Sequence, residues 1–231
     1  MRIAVLSDIH GNRTAFEAVL ADLRETAPDQ IFHGGDLGDG GPGGPGIIDQ
    51  IRDRGWPGVV GNTDEMLFRP DSLSEFARPA PQLQGLWNAI GEMAAWSREL
   101  LGEERLSWLS GLPTRQIAGT VALVHAGPAT PWRSPGDGAK DAELETVYGS
   151  LARPLVVYGH IHRAYIRRIG GLTVANSGSV SLSYDGDHRA SYLLIDDGVP
   201  AIRRVEYDLE KELAALAQCD LPHREWVARI L

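Results

Sequence analysis

The apolar positions along the chain fall into two regimes. In the first third, short aliphatic runs alternate with stretches of helical spacing. Ile3 to Leu6 is a continuous aliphatic run that predicts a buried strand. Phe16, Val19, Leu20 and Leu23 recur at intervals that share one helical face, so a helix follows and ends at Pro28-Asp29. Gln30 to His33 predicts a second short strand. Strand, helix, strand in this order implies a βαβ unit with parallel pairing. Residues 38 to 46 hold six glycines and two prolines and read as loop. Ile47, Ile48 and Ile51 predict another helix, Val59-Val60 a short strand, and Pro70, Pro79 and Pro81 an irregular stretch over residues 69 to 81. Leu83 to Leu101 has helical spacing with Leu86, Ile90, Met93 and Leu100 facing inward, and Leu106, Trp108 and Leu109 continue it.

After Pro113 the character changes to short β-like segments. They are Val121 to Val124, Leu155 to Tyr158, Ile166 to Ile169, Leu172 to Ala175, Tyr192 to Ile195 and Ile202 to Val205, with turn pairs such as Gly170-Gly171 and Asp197-Gly198 between them. Asp208 can cap a last helix containing Leu209, Leu213 and Leu216. No repeat at a solenoid period is visible. The 231 residues are read as one α/β domain spanning 1–231.

Charge narrows the partners. The formal net charge is -9, and Lys140 and Lys211 are the only lysines. An acidic chain is a poor generic binder of nucleic acid or of an anionic membrane, so neither is expected as a partner. Cys219 is the only cysteine, which excludes an intrachain disulfide and agrees with a reducing compartment. No apolar stretch approaches the roughly 20 residues of a membrane span. A soluble, cytoplasmic protein is the expectation.

The candidate chemistry lies where the apolar runs stop. They end on Asp8-Ile9-His10, Gly35-Asp36, Gly61-Asn62, His125 and Gly159-His160-Ile161-His162. In α/β sheets ligands gather beyond the carboxyl ends of strands, so these ends would bring two carboxylates, one amide and four imidazoles into one crevice. Each piece alone is ordinary turn, cap or core chemistry. Their conjunction, always after a β-like run, points to metal. Carboxylate, amide oxygen and imidazole together suit Mn²⁺, Fe²⁺, Ni²⁺ or Zn²⁺, whereas a lone Mg²⁺ or Ca²⁺ takes oxygen alone. Asp8, His10, Asp36, Asn62, His125, His160 and His162 are too many for one ion with an open position. They suit two ions bridged by a carboxylate at about 3.5–4 Å. The glycines beside them let backbone approach the cluster closely.

In this order the motifs resemble those of the calcineurin-like metallophosphoesterase superfamily. Its blocks D-x-H, G-D-x-x-D-x-G-P, G-N, a histidine after a strand, and G-H-x-H stand here as Asp8-Ile9-His10, Gly35-Asp36 through Pro42, Gly61-Asn62, His125 and Gly159-His160-Ile161-His162. Asn176-Ser177-Gly178-Ser179-Val180 is similar to the N-P-G-S-V turn of the small prokaryotic phosphodiesterase branch, with Ser177 for proline. The resemblance implies an αββα sandwich of two mixed sheets flanked by helices. It implies that Asp8, His10 and His162 hold one ion, that Asn62, His125 and His160 hold the other, and that Asp36 bridges them beside a hydroxide. That hydroxide would attack phosphorus in line, with Asp36, Asn62 and His125 as the catalytic residues. Asp39 would orient a ligand without touching metal. Manganese is the first expectation for both ions, with Fe²⁺, Ni²⁺ and Zn²⁺ as alternatives.

Many members of the family carry G-N-H, and the histidine acts on the leaving oxygen. Thr63 stands at that position here. Threonine is no acid near neutrality, and losing a positioned acid costs on the order of 10²–10⁴-fold. Either the leaving group is good, as in a phosphoanhydride or activated phosphodiester, or Asp64, His33 or His188 supplies the proton. Arg13, Arg133 and Arg189 are candidates to meet substrate phosphate, Trp132 to stack on a base, and Asn12 to meet a phosphate or cap the following helix. The reading is a dinuclear-metal phosphoesterase acting on phosphodiester or phosphoanhydride bonds of a small phosphorylated substrate, a nucleotide such as a dinucleoside polyphosphate being one candidate. The alternatives are a protein phosphatase or general phosphomonoesterase, and a non-catalytic interaction module on the same fold.

Overall fold

A computed structural model describes residues 1–231. Nine strands form two sheets. β1 (Arg2–Leu6), β2 (Gln30–His33), β8 (Ala190–Asp196) and β9 (Val199–Val205) make the first, in the order β2-β1-β8-β9. β3 (Arg115–Ala118), β4 (Val121–Val124), β5 (Leu155–Tyr158), β6 (Tyr165–Ile169) and β7 (Leu172–Asn176) make the second, in the order β3-β4-β5-β7-β6. Both sheets are mixed. β1 and β2 run parallel, as do β4 with β5 and β5 with β7, while β1 with β8, β8 with β9, β3 with β4 and β6 with β7 are antiparallel.

The alternation of strand side chains builds the layers. Ile3 and Val5 of β1 pack with Leu123, Leu155, Val157 and Ile195 in the seam between the sheets. Ala4 and Leu6 point the other way, into a larger core with α1 (Arg13–Thr26), α2 (Gly44–Asp53), α3 (Asn62–Phe68) and α5 (Gln84–Ser110). On the far side Val124, Val156 and Val174 pack against Leu144 and Tyr148 of α6 (Asp141–Tyr148). The result is the expected αββα sandwich, with one helix layer much heavier than the other. α4 (Asp71–Ala77), α7 (Leu209–Gln218) and α8 (Arg224–Ile230) complete the helices. Met93 of α5, Leu216 of α7 and Val227 of α8 share a small separate core.

Several local expectations need correction. The stretch 69–81 contains α4, which starts directly after Pro70, where the missing proline N–H costs nothing. The glycine-rich loop ends in α2 from Gly44, with Pro45 in its first turn. Val59-Val60 forms no strand of its own, and only Gly58 bridges to His33. α3, α6, α8 and β3 have no counterpart among the elements the apolar pattern predicts. Leu86 and Leu100 of α5 face outward, 37% and 39% exposed. The register is set by Met93, Ala94, Ser97 and Leu101, which are buried, and the helix breaks at Gly102, whose φ of 72° lies in the left-handed region.

Candidate metal centre

β1, β2, β4 and β5 all finish at one edge of the sandwich, and their next residues meet there. Asp8 and His10 follow β1, Asp36 follows β2, His125 follows β4, and His160 and His162 follow β5. Asn62 is the first residue of α3. The turns that deliver these side chains are strained. Asp8, His10, Asp36, His160 and His162 all have φ between 49° and 67°, a region that non-glycine residues avoid. Strain of this kind persists where the surroundings over-determine it, and it gathers at functional sites. Close backbone approach does the rest. A Cβ on Gly61 would lie 2.0 Å from Asp36 Oδ1, and one on Gly159 2.3 Å from Asp8 Oδ2.

The imidazoles are oriented by backbone. His10 Nδ1 faces Asp39 O at 3.2 Å, His125 Nδ1 faces Gly34 O at 2.7 Å, and His162 Nδ1 faces Leu182 O at 2.7 Å. A carbonyl only accepts, so each Nδ1 carries a proton and each ring turns its Nε2 inward. There the ring nitrogens converge on one another and on acceptor oxygens. His10 Nε2 and His162 Nε2 are 3.3 Å apart, and His162 Nε2 is 3.1 Å from Asp8 Oδ1. His125 Nε2 is 3.0 Å from Asn62 Oδ1 and 3.4 Å from Asp36 Oδ2, and His160 Nδ1 is 2.8 Å from Asn62 Oδ1. Asp36 Oδ2 is also 3.8 Å from His10 Nε2, so this carboxylate lies between the two groups of imidazoles. Such a convergence of buried acceptors needs cations, either protons or metal ions, and the donor set fits borderline divalent metals. Two overlapping groups have ligand-distance geometry: Asp8, His10 and His162, and Asp8, Asp36 and His125.

The electrostatics agree. Burial pushes the Asp36 carboxyl up, but the opposing charge and hydrogen bond of His125, with His10 behind, hold it far below the usual carboxylate range. Burial likewise lowers His125, yet Asp36 outweighs it and raises that imidazole to about 9. His160 falls to about 4, through burial first and then the charge of His125.

Supporting groups fix the turns. Asp64, a candidate acid by sequence, is fully buried and accepts the backbone N–H of Asp36 at 2.8 Å, of Leu37 at 2.9 Å and of Gly61 at 3.0 Å. It is a structural cap and does not face the cavity beside the cluster. Ser179 Oγ donates to Asp8 O at 2.7 Å, and Asn176 Nδ2 donates to Gly159 O, so the Asn-Ser-Gly-Ser turn holds β1 and β5 ends together. Burial raises Asp39 to about 7, and its Oδ1 has no hydrogen-bond partner. Thr63 lines the cavity, and its N–H donates to Asp36 Oδ1 at 2.9 Å.

Other sequence candidates lie elsewhere. His33 is buried against Trp108, and His188 is on an exposed loop. Arg13 pairs with Glu17, Arg189 pairs with Asp187, and Arg133 stands over Phe76. None of these three arginines lines the cavity. Asn12 Oδ1 caps α1 by accepting from Ala15 N at 2.9 Å. Trp132 does line the cavity, and its indole N–H donates to Glu65 at 2.6 Å. Phe76, Trp87 and Trp226, which no motif marks, also line it, as does Ile90, expected only as a helix-core residue.

The sandwich with acceptors gathered at one strand edge is the architecture of a metal-dependent phosphoric ester hydrolase. The chain belongs to the calcineurin-like phosphoesterase superfamily, whose domain profile matches residues 1–197. An uncharacterized protein of Methanocaldococcus jannaschii is 30% identical over 99% of this chain and 96% of its own length. The crystal structure of a metallophosphoesterase from Sphaerobacter thermophilus aligns with a TM-score of 0.78 at 26% identity, covering 100% of this chain and 98% of that one. A protein of Pyrococcus horikoshii shares the fold at a TM-score of 0.84 and 18% identity, over 100% of this chain and 97% of that one. No helix is long and apolar enough to cross a membrane.

Proposed function

We propose that the chain is a dinuclear phosphoesterase that hydrolyses phosphodiester bonds, and that Asp8, His10 and His162 hold one divalent ion while Asn62, His125 and His160 hold the other, with Asp36 between them. The observation that carries this is the facing of His10 Nε2 and His162 Nε2 at 3.3 Å, with their Nδ1 atoms on carbonyls. When bound, the two ions, Mn²⁺ first, would supply an activated water and neutralise phosphoryl oxygens in an in-line displacement. The residues set up the rest. Asp64 and Gly61 hold the Asp36 turn against the start of α3, and Asn62 Oδ1 stands between two imidazoles. The carbonyls of Asp39, Gly34 and Leu182 fix three tautomers so that no ring turns away. Thr63 offers a hydroxyl where an acid would protonate a poor leaving group. The reading is therefore a diester or another ester with a good leaving group, ahead of a general phosphomonoester.

The test is a panel of bis(p-nitrophenyl) phosphate, p-nitrophenyl phosphate, diadenosine tetraphosphate and a phosphopeptide, with purified protein and added Mn²⁺. Turnover of the diester above the monoester is expected. No turnover of any phosphoester by metal-loaded protein contradicts the proposal.

A further inference from the structure

The cavity beside the cluster has one polar end. His10, Asp36, Asn62, His160 and His162 form that end, and 12 of its 20 lining residues are hydrophobic. Its volume is about 240 Å³. The apolar walls come from helices that otherwise have no part in the site: Leu73 and Phe76 of α4, Trp87 and Ile90 of α5, Trp226 and Ile230 of α8. Neither lysine nor arginine lines it. Arg133 stands behind the Phe76 ring at 4.9 Å from its centroid, outside the lining. The indole N–H groups of Trp87 and Trp132 are already spent on Ala80 O and Glu65. Beyond the cluster residues themselves, only Asp39, Thr63 and Tyr184 bring side-chain oxygens, and they lie next to the cluster, Tyr184 stacked on His162.

We infer that the substrate is a singly charged phosphodiester with one uncharged, apolar arm, aromatic or aliphatic, that lies among Phe76, Trp87, Trp132 and Trp226. This rests on the phosphoesterase reading above and specifies its substrate. Each further phosphate of a polyphosphate would enter a wall with no cation to meet it, and burying an unpaired charge is heavily unfavourable. A nucleoside arm could stack, but its base edges and sugar hydroxyls would lose water for few partners, which is also costly. An apolar arm loses nothing polar and gains contact with aromatic faces.

The test uses Mn²⁺-loaded protein and probes that lack an aromatic leaving group. Tryptophan fluorescence reads binding, because three of the six tryptophans line the cavity. The probes are methyl methylphosphonate, methyl benzylphosphonate and thymidine 5′-methyl phosphate, and hydrolysis of bis(p-nitrophenyl) phosphate is measured in parallel. The benzyl probe is expected to bind on the order of 10–100-fold more tightly than the methyl probe, with the thymidine probe close to methyl. Trp226→Ala should lower the benzyl-to-methyl ratio about tenfold, on the scale of a lost aromatic contact. Ile230→Lys, at a half-buried position in the last turn of α8, should lower it by a similar factor by placing a charge in the wall. Equal affinities, tighter thymidine binding, or a wild-type ratio in both variants overturns the apolar-arm assignment while hydrolysis still supports the phosphoesterase reading. Absence of hydrolysis on any phosphoester overturns that reading, and the substrate assignment with it.

Discussion

The Asp64 carboxylate takes the backbone N–H of Asp36 at 2.8 Å while it also caps the turn that starts at Gly61. One buried side chain thereby ties the loop after β2 to the helix that presents Asn62. Burial, and then the charge of Asp36, raises Asp64 to about 6, so it stays a carboxylate at neutral pH because three N–H groups point at it. In Asp64→Asn one of those donors must face an amide N–H. Mn²⁺ affinity should fall on the order of 10–100-fold, the usual consequence of losing a group that orients a ligand. Titration calorimetry with Mn²⁺ checks this, and wild-type affinity in the variant contradicts the positioning role.

Gly61 makes a sharper case. Its added Cβ would sit 2.0 Å from Asp36 Oδ1, and the carboxylate cannot retreat without leaving His125. Gly61→Ala should lose metal binding by more than about tenfold. The overlap should also cost thermal stability, on the order of 1–3 kcal/mol for overpacking. Thermal melts with and without Mn²⁺ separate the two effects, since the wild-type gain on adding metal should shrink in the variant.

His125 predicts proton release. It is raised to about 9 by Asp36 against the downward pull of burial, so the metal-free protein holds a proton there at pH 7.5. A metal ion held there would take the same Nε2 lone pair, and that proton would have to leave. Apparent Mn²⁺ affinity should therefore rise with pH up to about 9, with about one proton released at this residue at pH 7.5. Calorimetry in buffers of differing ionisation enthalpy measures the number, and no buffer dependence contradicts the assignment.

His33 predicts part of the acid limb of stability. It is fully buried, both ring nitrogens lack partners, and burial lowers it to about 3. The unfolded chain binds a proton near the ordinary histidine value, and the folded chain does not. Its contribution is thus complete above about pH 6.5 and is lost as pH falls towards 3, at up to about 1.4 kcal/mol per pH unit. His33→Leu should flatten this slope in urea melts between pH 6.5 and 4, and an unchanged slope would contradict the account.

The sequence made the strands and the cluster legible for one reason: continuous aliphatic runs such as Val121–Val124 and Leu155–Tyr158 are buried on both faces, and they stop on the side chains that matter. The short helices were illegible because α3, α4 and α8 have 7 residues each, too few for a periodicity to repeat. Their stability comes from packing on α5 and, for α8, on α7 as well, which no local window contains. The same limit hid the apolar cavity, whose walls join Phe76, Trp87 and Trp226 from distant parts of the chain. Leu86 and Leu100 were misjudged because a long helix with a weak stripe offers several inward faces, and burial of Ser97 selects one of them. The strained φ values at Asp8, His10, Asp36, His160 and His162 have no sequence signal beyond the neighbouring glycines.

Asp36 is proposed to lie between two metal ions. Anomalous diffraction from Mn²⁺-soaked crystals tests this directly. Two peaks should appear about 3.5–4 Å apart with the Asp36 carboxylate between them, one beside His10 and His162 and the other beside Asn62, His125 and His160. A single peak, or two peaks that leave Asp36 outside their contact, would contradict the account.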